Sequence, residues 1–258
     1  MSTRMRSTIQ PSSAATGEVA SVRMPRTTKR RRRDVTMFRS GGAMRIIQRA
    51  MTFCAVVVLV SASHAVAQTE FSEMVDHVHL AVPNQASAVE WYKKHFGGQP
   101  MAEGAERLMF GETRILFQRN EGAKPSAGSA IDHLGFSVAD LDATMKALEA
   151  DGAKVTLPAR EVAGLFKLAF VEDPWGVRIE VVQDAAKLGL HHIHLRAPDP
   201  GAALAWYAAS FGGTLGKLKD RFDGINYGGV WVLVQKGEAV PSAGHAIEHL
   251  GFRPVNVD

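Results

Sequence analysis

"DHVHLAV", residues 76–82, places His77 and His79 two positions apart. In a β-strand such residues leave the same face, so two imidazoles are predicted side by side. A near copy, "HHIHLRA", occupies 191–197. Working outward, "AVEWYKKHFGG" at 88–98 returns as "ALAWYAASFGG" at 203–213, and "PSAGSAIDHLGF" at 125–136 returns as "PSAGHAIEHLGF" at 241–252. The chain therefore contains a tandem duplication.

A shorter period lies inside each copy. "DHVHLAV" is followed by a helical stretch, Ala86 to His95, stopped by Gly97 and Gly98. "IDHLGFSV" is followed by another, Leu141 to Asp151, stopped by Gly152. Short alternating or apolar segments come next: "RLMFG" and "TRILFQ" in the first case, "AKVTLP", "FKLAFVE" and "VRIEVVQ" in the second. Each unit is predicted to be a strand, a helix and about three strands. Unit one spans 75–119, unit two 131–183 and unit three 190–236, while a fourth stops at Asp258 just after its first strand. Trp91, Tyr92 and Phe96 stand at helical spacing and are expected in the core.

The beginning of the chain is different in kind. Residues 1–43 are basic, with "TTKRRRRDVTMFRSGG", and read as a disordered segment or an extension upstream of a true start at Met44. Residues 44–67 have Arg45 and Arg49, an apolar run from Met51 to Val60 and the small residues Ala65, Val66 and Ala67, the pattern of a cleaved secretory signal. That run is too short for a spanning helix, which needs about 20 residues, so no stable membrane span is expected after cleavage and the folded part is expected to be periplasmic or secreted. Of the 30 Lys+Arg and 26 Asp+Glu, residues 1–50 hold 12 and 2, which leaves residues 68–258 near −6. That balance gives no reason to expect nucleic-acid binding. The single cysteine, Cys54, lies in the apolar leader, so neither a disulfide nor a thiol catalyst is expected in the folded part.

A βαβββ unit repeated in pairs, opening on "HVHLAV" and closing on "DPWGVRIE", resembles the vicinal oxygen chelate superfamily, which includes glyoxalase I, extradiol dioxygenases and metal-free bleomycin-binding proteins. The resemblance implies an α+β fold in which repeated βαβββ units pair into curved mixed sheets, open barrels around a shared cavity. It implies one complete domain at 75–183 and a second, incomplete at its C-terminus, at 190–258. It also implies a divalent cation (iron, manganese, nickel, cobalt or zinc) held by His77, His133 and Glu180, with open positions for water or substrate. The fourth family position falls on Leu116, with Gln118 two residues on along the same face. His79 is a candidate general base, or a ring bonded to a neighbouring strand; Arg178 is a candidate contact for an anionic substrate, or a partner for Glu180.

Such a site implies a glyoxalase-like lyase or isomerase that moves a proton on a small oxygenated molecule. Two alternatives are an extradiol-dioxygenase-like Fe(II) enzyme and a binding protein without turnover. "GLFKLAFVEDP" has no His, and Phe170 stands where dioxygenases of this kind tend to carry Tyr, which counts against the first. Unit three repeats the histidines as His192 and His194, and the stub of unit four as His249. With most of its expected partner missing, unit three is expected either to belong to a longer chain or to form a homodimer with another copy.

Overall fold

A computed structural model describes residues 71–254, so the expectations for 1–43 and 44–67 lie outside the described residues. Unit one is β1 (Phe71–Val82), α1 (Gln85–Phe96), β2 (Gln99–Met101), β3 (Gly104–Phe110) and β4 (Thr113–Arg119). Unit two is β5 (Ile131–Ser137), α2 (Leu141–Ala150), β6 (Lys154–Glu161), β7 (Lys167–Glu172) and β8 (Arg178–Gln183). Unit three is β9 (Gly189–Ala197), α3 (Pro200–Phe211), β10 (Thr214–Leu218), β11 (Phe222–Tyr227) and β12 (Val230–Lys236), and the fourth unit contributes β13 (Ile247–Pro254).

The helices begin where a side chain can accept from the first free backbone amides. Asn84, Asp140 and Asp199 each do so, receiving the N–H of Ser87, Ala143 and Ala202 at 3.0–3.1 Å. The first helix ends at Gly97, whose φ of 73° suits glycine, and its N–H returns to the Lys93 carbonyl. Inside each unit the last strand runs parallel to the first: β4 beside β1, β8 beside β5, β12 beside β9. The helix supplies the crossover such a pairing requires.

The units join through antiparallel first strands. Units two and three form one eight-stranded sheet, in the order β10-β11-β12-β9-β5-β8-β7-β6, closed at its centre by β5 against β9. Unit one takes β13 onto β1, giving a five-stranded sheet, β13-β1-β4-β3-β2. Residues 75–183 thus contribute strands to two sheets, and unit three pairs with unit two of the same chain. The physical reason lies on the other face of the strands. Phe136 of β5 stacks on Phe96 of α1 at 4.2 Å and meets Phe110 of β3 edge-on at 5.3 Å. Tyr92 donates to Asp173 at 2.8 Å, and the Trp91 indole donates to the Asp151 carbonyl at 3.1 Å. Units one and two thus meet through their helix-bearing apolar faces, and this leaves the histidine face of β5 free to turn toward β9. The core expectation for Trp91, Tyr92 and Phe96 agrees with their burial.

Candidate metal centre

Alternation along the central strands puts Leu134 and Phe136 into the core and turns His133 and Gly135 the other way. On β9 the same split separates Ile193 and Leu195 from His192 and His194. Across the β5/β9 pair His133 stands opposite His194, and Gly135 opposite His192. Beside them on β8, Glu180 lies next to Gly135. One side-chain donor atom from each of His133, Glu180, His192 and His194 falls within 4.8 Å of all the others.

Two contacts make this group specific. His133 Nε2 and His192 Nε2 both approach Glu180 Oε2, at 3.2 and 3.1 Å. His133 Nδ1 meets the fully buried Asp132 at 2.8 Å, and a proton on that nitrogen leaves Nε2 to face the carboxylate as an acceptor. Acceptors held face to face suit a cation bound between them, and imidazole with carboxylate is an ordinary donor set for a divalent one. Burial pushes the Glu180 carboxyl up, but a proton shared with Nε2 of His133 or His192, standing where the cation would, outweighs it and holds the group well below the usual carboxylate range. Burial also raises Asp132, which is nevertheless brought low by His133, the Gly128 N–H and Arg178.

His192 has a different support. Its Nδ1 lies 2.9 Å from Nδ1 of His191, which burial and the neighbouring His192 push down to about 4. A neutral His191 accepts from His192 there and turns its other nitrogen toward Asp184 Oδ2, 3.5 Å away and paired with Lys219 at 2.8 Å. Gly135 completes the seat: a Cβ at that position would fall 2.1 Å from the His192 ring. Burial, then His133 and His192, push His194 down to about 2, so it stands as a neutral ring with its Nδ1 unpartnered.

The group opens into a cavity of about 260 Å³ between units two and three. Its walls are Leu165, Phe166, Leu168, Phe170, Leu218 and Leu233, and Glu180 is the only acidic residue lining it among the described residues. Phe170 meets His133 edge-on at 5.1 Å. A wider groove of about 710 Å³ adjoins across His194, Phe222 and Leu233.

Of the residues expected from sequence, His133 and Glu180 come together here and His77 does not. His77 stands on β1 with His79 and His249, ring centroids 5.0 and 5.6 Å away, in a more exposed cluster backed by Asp76 at 2.7 Å. His79 is with it, 4.1 Å from His249, and so outside the cavity. Arg178 lines the cavity but pairs with Asp132 at 2.6 Å rather than with Glu180, its guanidinium lying 4.4 Å over Phe170. Arg160, which the sequence did not single out, lies exposed on the lining with no ion pair among the described residues. His192 and His194 were visible only as repeats of His77 and His79. What sequence could not show was which unit faces which.

A curved sheet of paired βαβββ units with imidazoles and a carboxylate on its inner strands defines a class, and comparison with known proteins agrees. Residues 74–181 match the model of the Glyoxalase/Bleomycin resistance protein/Dioxygenase superfamily. A curated relative, lactoylglutathione lyase of Haemophilus influenzae, is 42% identical over 65 residues, which cover 24% of this chain and 48% of that protein. The chain thus spans about half the length of that relative. Among solved structures, glyoxalase I from Zea mays is similar at 18% identity and a TM-score of 0.51 over 69% of this chain and 70% of its own. Its V278E mutant gives 20%, 0.55, 69% and 73%. At those identities the likeness concerns the fold.

Proposed function

We propose that the chain is a glyoxalase-like enzyme that uses a divalent cation, held by His133, Glu180 and His192, to move a proton on a small substrate with two neighbouring oxygens. The observation that carries this is the convergence of two imidazole nitrogens on one buried carboxylate oxygen at 3.1 and 3.2 Å, inside a cavity of substrate size. Such a cation, when bound, polarises a carbonyl and makes the adjacent C–H acidic. The chain's own residues do the rest. Asp132 and His191 fix the orientation of the two rings. The apolar walls exclude water, and Glu180, as the acidic residue within reach, is the proton acceptor in place of His79. Arg160 at the opening is the better placed contact for an anionic group, since Arg178 is committed to Asp132.

The lactoylglutathione lyase relative supports the lyase or isomerase class. The same two-His, one-carboxylate set would also suit Fe(II) and oxygen chemistry, a second reading that the donor set itself keeps in play. We infer from residues 44–67 that the protein works in the periplasm or outside the cell. Loading the protein with cobalt(II) and titrating it with a hydroxamate, a bidentate oxygen ligand shaped like the proposed reacting group, tests the main reading. A shift of the cobalt absorption bands is expected. A metal-loaded protein whose spectrum ignores the hydroxamate would contradict it, and oxygen uptake with a catechol on the iron form would favour the second reading instead.

A further inference from the structure

Unit two and unit three build their halves of the centre differently. In unit two the residue two places after the first-strand histidine is Gly135, and its neighbour across the parallel pair is Glu180 on the last strand. In unit three the corresponding residue is His194, and its neighbour across the parallel pair is Leu233. Unit one repeats the arrangement of unit three, with His79 beside Leu116. Where the last strand has an aliphatic residue in place of a donor, the first strand has an imidazole, and this exchange occurs twice in the chain. Adjacent strands lie only about 4.8 Å apart, so a donor moved across one strand spacing still reaches the same cavity.

The Nδ1 of His194 is buried without a hydrogen-bond partner, as is that of His79. The ring of His194 shares its cavity with Gln235, whose buried amide nitrogen is likewise without a hydrogen-bond partner. Leu233 and Phe222 line the same cavity, and the His194 ring sits 4.6 Å from that of His133, centroid to centroid. A buried polar group left in this state is unfavourable unless something outside the protein satisfies it. We propose that His194 is a fourth ligand of the cation centre, taking the place of the last-strand residue that unit three has lost to Leu233. The proposal rests on the centre held by His133, Glu180 and His192. Three neutral imidazoles and one carboxylate leave a divalent cation with a net charge of +1, and they favour zinc, nickel, cobalt or copper over magnesium or manganese.

The test is copper(II) bound to the full chain, carrying His77→Ala and His79→Ala so that the other histidine cluster adds no signal, and read by electron spin-echo spectroscopy. Three coordinated imidazoles are expected, falling to two with His194→Ala, together with a loss of zinc affinity of at least about tenfold. Replacing His194 by Gly and Leu233 by Glu copies unit two, and should return zinc affinity while the imidazole count stays at two. Two imidazoles with His194 present, or an unchanged count and affinity without it, would overturn the inference and leave the three-residue centre standing. No bound copper or zinc with all four residues present would overturn both.

Discussion

Gly135 and Gly251 show how much a single residue decides here. Each lies opposite a histidine of the partner strand, and a Cβ there would fall 2.1 Å from His192 or 2.2 Å from His77. The recess admits a ring that its own nitrogen contacts then orient. Gly135→Ala is therefore expected to displace His192, destabilise the fold by about 1–3 kcal/mol and weaken cation binding. Thermal unfolding beside a zinc titration checks this, and an alanine variant that binds zinc as tightly as the native chain would show that the recess is not needed. The "HLGF" motif was legible in the sequence, as was its repetition. The reason for its glycine was not, because the crowding atoms belong to a distant strand, that of His192 for Gly135 and that of His77 for Gly251.

At the scale of elements, α1 is the hinge of the arrangement, since it packs on unit two as well as on its own sheet. Phe136, fully buried, stacks against Phe96 of this helix. Phe136→Ala is expected to destabilise the protein by about 3–5 kcal/mol in denaturant unfolding. Tyr92 reaches from the same helix to Asp173, which also accepts from the Trp175 and Val177 amides. Burial outweighs those bonds and raises the Asp173 carboxyl from 3.8 to about 6. The folded state therefore holds this proton more tightly than the unfolded one, so the contribution is complete below pH 4 and lost as pH rises through 6. The difference amounts to about 3 kcal/mol. Asp173→Asn keeps the two amide contacts without the charge, and its stability relative to the native chain should improve by up to that amount between pH 4 and pH 7. Urea unfolding at both pH values measures it; a difference independent of pH would mean that Asp173 is already charged in the fold. The helix limits, the strand order within a unit and the burial of the aromatic residues all followed from periodicity and caps. The raised carboxyl did not, because "EDPWG" reads as a turn until Tyr92 is brought over it.

For the whole molecule the decisive fact is pairing. Four repeated units with equivalent first strands can join one with two or two with three, and either choice satisfies every alternation in the sequence. Neighbours in sequence usually pair in space, which made units one and two the natural expectation. The structure instead joins two with three and one with β13, because the aromatic faces of units one and two pack against each other. Of the three residues expected from motif and register, His133 and Glu180 stand together in the fold. The third, His77, lies on β1 with His79 and His249, and its repeat His192 is the imidazole that stands beside the other two. Elemental analysis of three proteins purified side by side without chelator, the native chain, His192→Ala and His77→Ala, tests the centre most directly. A tightly held equivalent of a divalent metal is expected to survive in His77→Ala and to disappear in His192→Ala. Loss in His77→Ala with retention in His192→Ala would contradict the pairing of units two and three as the seat of the site.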